Sequence, residues 1–243
     1  MKRTKLPEIA AIAADQWGMV STAQATAVGI DTRTVSGLAT KGDLERLTHG
    51  VYRLTGTPPG PHDDLRAAWI ALDPRPTAAE RIAAGPTEVV SHRSAAVLHE
   101  LGDLDADILE FTASVRRQTR RTDVRIHRGT LDGDDWTLTN GLPVTTPVRT
   151  IKDLAHDHVD LGHLAGVVRD ALVQQGLAIE QVVTALGPYA PTYGVTAGDG
   201  SRLVDILLRE AGVPQSILDI AMRSTMPRSS VTGVPEPKGN ATL

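Results

Sequence analysis

Cysteine is absent from the 243 residues, and aromatic side chains make up only 3%, with a single Phe. The first absence excludes disulfides, thiolate nucleophiles, cysteine-ligated zinc and iron–sulfur clusters, and it fits a reducing cytoplasm. The second removes the stacked-aromatic platforms of RNA-recognition sheets and single-strand binders, so a nucleic-acid partner is expected to be duplex. Long apolar runs are missing too. The uncharged stretch 181–198 is broken by Gly187, Pro188, Pro191 and Gly194, well short of the roughly 20 apolar residues of a membrane span. The start, Met1-Lys2-Arg3-Thr4-Lys5, is basic, but Glu8 and Asp15 leave no apolar signal-peptide core, so neither secretion nor membrane insertion is expected.

What is present is ordinary for a globular protein: 41% hydrophobic and 22% charged residues with mean hydropathy −0.12, in a chain long enough for two small cored domains. A net charge of −4 and a pI near 6.0 argue against nonspecific coating of nucleic acid. The layout of charge is more informative than its sum. Glu100, Asp103, Asp105, Asp107 and Glu110 are followed at once by Arg116, Arg117, Arg120, Arg121, Arg125 and Arg128. The arginine run reads either as a solvated hairpin or as a phosphate-contacting strip. The acidic run reads as a solvated loop beside a strand, with a basic protein partner as the alternative.

The expected class is α+β. Leu6, Ile9, Ile12 and Ala13 make one face of a helix over 6–17. Ser21 caps a second helix, Thr22 to Val28, which Gly29 ends, and Asp31 caps a third, from Thr32 to Lys41, stopped by Gly42. Two short helices joined by Gly29-Ile30-Asp31 have the helix-turn-helix pattern. Leu44 to Leu54, turning at His49-Gly50, then gives a β-hairpin, the wing. Thr57-Pro58-Pro59-Gly60-Pro61 is stiff and non-regular, which sets the domains at 1–57 and 62–212.

In the second domain helices are expected at 62–72, 77–84 and 91–101, and strands at 107–113 and 123–128. An extended 142–147 follows, and Thr146-Pro147 opens a further helix. Helices at 160–175 and 178–186, a Gly/Pro/Thr-rich connector at 187–200 and a last helix at 201–211 complete it. The tail, 213–243, rich in Pro, Ser and Gly from Met226 onward, is expected to be mostly disordered.

The second helix of a helix-turn-helix pair enters the major groove with its early residues on base edges. Those residues here are Thr32, Arg33, Thr34 and Ser36, with Lys41 further on. Arg33 suits a forked contact to guanine, worth roughly 1–3 kcal/mol of discrimination. Thr32, Thr34 and Lys41 suit phosphates, and Arg46, His49 and Arg53 on the wing suit minor-groove or backbone contacts. The competing reading is a winged helix used for protein contacts alone.

No metal or cofactor is expected. His156 and His158 are two apart on a helix and point to different faces, so with Asp157, Asp160 and His163 they do not assemble a ligand set. His92, at a helix start, reads as a structural or capping residue. No G-x-S-x-G nucleophile turn is present, and Gly198-Asp199-Gly200-Ser201 lacks the Lys of a phosphate loop.

Three further segments carry a resemblance. They are Ser91-His92-Arg93-Ser94-Ala95-Ala96-Val97-Leu98-His99, Val124-Arg125-Ile126-His127-Arg128, and the run from Gly141-Leu142-Pro143-Val144-Thr145-Thr146-Pro147 through Arg149 and Asp153 to Ala155. Together with a wing ending Arg46-Leu47-Thr48-His49-Gly50-Val51-Tyr52-Arg53-Leu54, they resemble the AbiEi family of antitoxins from type IV (abortive-infection) toxin–antitoxin systems over roughly residues 6–175. The resemblance implies a bacterial, cytoplasmic, non-enzymatic protein that represses its own operon on double-stranded DNA and counteracts a nucleotidyltransferase toxin, by contact or by another route. It also implies a second, mixed α/β antitoxin domain whose basic face, here the six arginines from Arg116 to Arg128, adds to DNA binding.

Two alternatives stand beside it. One is a plain winged-helix transcription regulator. The other starts from Gly200 to Pro214, which is similar to the first helix of a very-short-patch-repair-like endonuclease. The later Asp and Glu-x-Lys that would hold magnesium are missing, since only Asp219, Glu236 and Lys238 follow. A single winged helix covers only roughly 600–1,000 Å², so two copies are expected on DNA, about one helical turn, near 34 Å, apart.

Overall fold

The computed structural model describes residues 5–214; of the tail expected to be disordered, Val213 is tied to the Leu208 carbonyl at 3.0 Å, and 215–243 lie outside the described residues. Among the described residues the chain is a mixed α and β structure with ten α-helices and two sheets.

Helices α1 (Leu6–Ala13), α2 (Thr22–Ala27) and α3 (Thr32–Lys41) pack on a three-stranded antiparallel sheet. Its strands β1 (Met19–Ser21), β2 (Leu44–Thr48) and β3 (Val51–Leu54) lie in the order β1-β3-β2. The caps fall where the sequence puts them. Ser21 and Gln24 form a reciprocal capping box, Asp31 Oδ1 accepts from the Thr34 N–H at 2.8 Å, and Gly42 ends α3 in the left-handed conformation at φ 83°. Ile9, Val20, Ala25, Ile30, Val35, Leu38, Leu44 and Tyr52 make the first core. Strand β1 has no counterpart in the sequence reading, because three residues are too few to show alternation. A register shift between Arg46 and Thr48 marks a bulge at Leu47, whose side chain packs toward the second core.

The second sheet has the order β6-β5-β4-β8-β7, from β4 (Glu88–Val90), β5 (Leu109–Ala113), β6 (Val124–Arg128), β7 (Trp136–Thr139) and β8 (Leu142–Thr145). Helix α4 (Asp63–Leu72) packs on strands of both sheets, α5 (Ala78–Ala83) adds Ala78 and Ile82 to the core beside it, and α6 (His92–Leu98) lies on β5 and β8. Helices α7 (Pro147–His156), α8 (Leu161–Val173), α9 (Ile179–Leu186) and α10 (Gly200–Glu210) build a helical layer with its own core of Leu154, Leu164, Val168, Leu186, Leu203 and Leu207. Part of the expected connector, Gly187–Tyr193, is 3₁₀ helix.

The hairpin reading of the arginine run does not hold. Strands β5 and β6 pair in parallel, Leu109 opposite Val124 through Ala113 opposite Arg128, so the chain over 114–123 returns to the starting edge before β6 begins. The register places Glu110, Thr112, Arg125 and His127 on one face and Phe111 and Ile126 on the other.

The proline-rich link at 57–61 joins two bodies that share a core. Met19 and Val51 pack in one cluster with Leu65, Trp69, Phe111 and Leu142. Trp17 meets Trp69 edge to face, with ring centroids 6.3 Å apart. Polar contacts reinforce the junction: the Ala78 N–H donates to Gln16 Oε1 at 3.2 Å, Gln24 Nε2 to the Pro76 carbonyl at 2.8 Å, and the Ser21 hydroxyl to the Pro74 carbonyl.

Candidate nucleic-acid interface

Helix α3 is fixed from inside by Val35 and Leu38, which are buried, while Thr32, Arg33, Ser36, Thr40 and Lys41 are exposed. The 3.6-residue repeat therefore gives the helix a solvent face of small polar and cationic side chains. Neither Arg33 nor Lys41 makes an ion pair among the described residues. Thr34 is employed differently from the expectation: its hydroxyl donates to Asp31 Oδ2 at 3.0 Å and completes the cap. The backbone and hydroxyl hydrogen bonds of Thr34 hold the Asp31 carboxyl below its ordinary range.

The wing divides. Arg46 and His49 are exposed and linked, Arg46 Nη2 to His49 Nδ1 at 3.0 Å, with Arg46 Nε donating to the Thr48 carbonyl at 3.3 Å. Arg53, expected at the nucleic acid, is turned inward. Its side chain is 9% exposed, and its guanidinium lies 2.5 Å from Glu45 Oε2 and 2.6 Å from Asp63 Oδ2. Hydrogen bonding to Glu45 raises its pKa, against the opposing effect of burial.

The basic run of the second body also divides. Arg116, Arg120 and Arg128 are exposed and make no ion pair among the described residues. Arg117 Nε lies 2.5 Å from Glu88 Oε1 and its Nη2 3.3 Å from Asp73. Arg121 grips Asp123 at 2.5 Å and donates to Thr48 Oγ1 of β2 at 2.9 Å. Arg125 reaches Glu110 at 3.3 Å. The acidic run loses a member the same way, since Glu110 is buried on β5 while Asp103, Asp105 and Asp107 are exposed. Alternation along a strand could have separated Arg125 and Glu110 from their neighbours; nothing local could have announced Glu88 as the partner of Arg117.

With this geometry in place, residues 7–55 match the family model described as transcriptional regulator, AbiEi antitoxin. The amino-terminal body is thus similar to the AbiEi antitoxin family of transcriptional regulators. The AbiEi match spans α1 to β3 and so includes the capped α3 and the wing. Beyond it, the chain is similar in structure to the RV2827C protein from Mycobacterium tuberculosis, with TM-score 0.54 and 15% identity over 85% of this chain and 78% of that one. That likeness is one of fold. Among curated proteins, none matches the chain. No helix among the described residues is long and apolar enough to cross a membrane.

A second constellation escaped the sequence reading. Asp157, at the end of α7, does not group with His156, His158 and His163; His163 pairs with Asp160 instead. It faces His92 and His127, whose rings stack with centroids 3.5 Å apart and planes 13° from parallel. His92 is buried at the junction of β4 and α6 with φ 52°, and its burial, together with the neighbouring His127, pushes its pKa down to about 4. Burial raises the Glu110 carboxyl, but hydrogen bonds from His127 and the Arg93 N–H outweigh it and leave the pKa below the usual value. These residues stand far apart in sequence: the pairing of β5 with β6 sets Glu110 beside His127, and the packing of α6 on β5 and α7 brings in His92 and Asp157.

Proposed function

We propose that this AbiEi-like protein is a winged helix-turn-helix DNA-binding antitoxin that represses its own operon, with α3 entering the major groove. The second body would act as the antitoxin domain against a nucleotidyltransferase toxin. The observation that carries the DNA-binding reading is the outer face of α3. A helix held by Val35 and Leu38 presents Arg33, Ser36 and Lys41 to solvent inside the segment that matches a family of transcriptional regulators. Arg33 reads a base edge, Thr32 and Lys41 contact phosphate, and Arg46 with His49 follows the adjacent backbone.

In the second body, Arg116, Arg120 and Arg128 remain as the cations that extend the interface. Arg117, Arg121 and Arg125 shape that surface through their carboxylate partners. No catalytic role is assigned to the chain, and a cytoplasmic location suits its DNA partner. Two copies bind neighbouring half-sites about one helical turn apart. Binding of the full chain to its own promoter fragment, against scrambled duplex and across a salt series, tests the reading. Preference for the promoter that weakens steeply with salt supports it, and equal binding to both duplexes overturns it.

A further inference from the structure

We propose that His92, His127 and Asp157 form a binding site for a divalent transition-metal cation, zinc by ligand chemistry. One ligand atom from each lies within 4.8 Å of the other two. Nε2 of His92 and Nδ1 of His127 stand 3.9 and 3.8 Å from the same Oδ2 of Asp157. Those separations are too long for hydrogen bonds. The two imidazoles and the carboxylate therefore come together without bonding to one another, close enough for bonds of about 2.0–2.2 Å to one cation once the stacked rings part.

The far side of each ring already has a hydrogen-bond partner. His92 Nδ1 is 2.9 Å from Ser91 Oγ, which accepts from Thr112 Oγ1 at 2.9 Å. His127 Nε2 is 3.2 Å from Glu110 Oε1, and Glu110 is held in turn by the Arg93 N–H at 3.0 Å. Outer partners that set tautomer and ring orientation, a carboxylate on one histidine and a hydroxyl on the other, are what metal-binding imidazoles require. The neutral form of His92 is the ligating form.

A further observation points the same way. A buried histidine in the left-handed region, at φ 52°, is backbone strain that the surrounding structure must maintain, and here it sets the ring beside Asp157. Asp157 is 32% exposed and gives a route from solvent. Three protein ligands leave a fourth position open. Because the imidazole planes run nearly parallel, at 13°, one ring must tilt out of the stack for both lone pairs to meet the cation. Unstacking is thus a signature of binding.

The test is titration of the full, chelator-stripped protein with Zn²⁺ by calorimetry, and with Co²⁺ by visible absorption. One equivalent is expected to bind, with a rise in thermal midpoint and changed imidazole proton resonances. His127→Gln and Asp157→Asn should each weaken binding by tenfold or more, and His163→Gln should leave it unchanged. Asp157 is partly exposed, so Asp157→Asn carries the test if His127→Gln does not fold. No binding of either cation, or binding that survives both Asp157→Asn and a folded His127→Gln, overturns the proposal.

Discussion

The guanidinium of Arg53 on β3 lies 2.6 Å from Asp63 Oδ2 at the start of α4, across the proline-rich link. This pair, 9% and 12% exposed, ties the wing to the second body. Asp63 also accepts from the Gly60 N–H at 2.7 Å and so fixes the link itself. Removing one member of such a pair leaves the other charge buried and uncompensated, at a cost of about 3–5 kcal/mol. Arg53→Ala is expected to lower unfolding free energy by less than that range, because Glu45 is largely solvated and Asp63 keeps Arg66 Nη1 at 3.2 Å. Urea unfolding checks the loss, and promoter affinity of the folded variant should change far less than for substitutions on α3.

Gly37 separates the two effects in the opposite sense. It lies inside α3, and an added Cβ would meet nothing within 4 Å. Gly37→Ala should stabilise the fold by about 0.5–1 kcal/mol, because alanine loses less backbone freedom on entering a helix. If α3 sits in the groove, the same methyl stands between backbone and DNA. Promoter affinity is then expected to fall while the thermal midpoint rises.

Glu88 is 0% exposed, with Arg81 Nη2 at 2.7 Å, while the Arg81 guanidinium lies 3.6 Å from the centre of the Trp69 ring. Burial raises the Glu88 carboxyl, but Arg117 and Arg81 outweigh it and hold it below its ordinary value of 4.5. A depressed carboxylate pKa contributes stability that is present above the unfolded value and is lost as pH falls through the folded one. Glu88→Gln should cost about 3–5 kcal/mol at neutral pH by stranding Arg81. It should also flatten the loss of stability below about pH 4.5. Thermal unfolding across pH 3–7 reads both.

The elements that the sequence displayed are those governed by local chemistry. Ser21, Asp31 and Gly42 mark helix ends through backbone hydrogen bonds within a few residues, so α2 and α3 follow from them to within one residue. Strands β1 and β4 stayed hidden, because three residues carry no period of their own and gain their pairing from distant chain, and β7 stayed hidden although it pairs with the neighbouring β8. The arginine run shows the same limit. Arg125 meets the buried Glu110 through the parallel pairing of β5 with β6, Arg117 meets Glu88 of the distant β4, and His92, His127 and Asp157 come together from α6, β6 and the end of α7.

The most direct test of the central claim compares wild type with Arg33→Ala for binding to the protein's own promoter fragment across a salt series. Arg33 is exposed and makes no ion pair among the described residues, so the substitution should leave stability nearly unchanged. The account predicts a loss of roughly 1–3 kcal/mol in promoter affinity, with relaxed preference over scrambled duplex. Unchanged affinity and unchanged preference at every salt concentration would contradict it, and would take α3 out of the major groove.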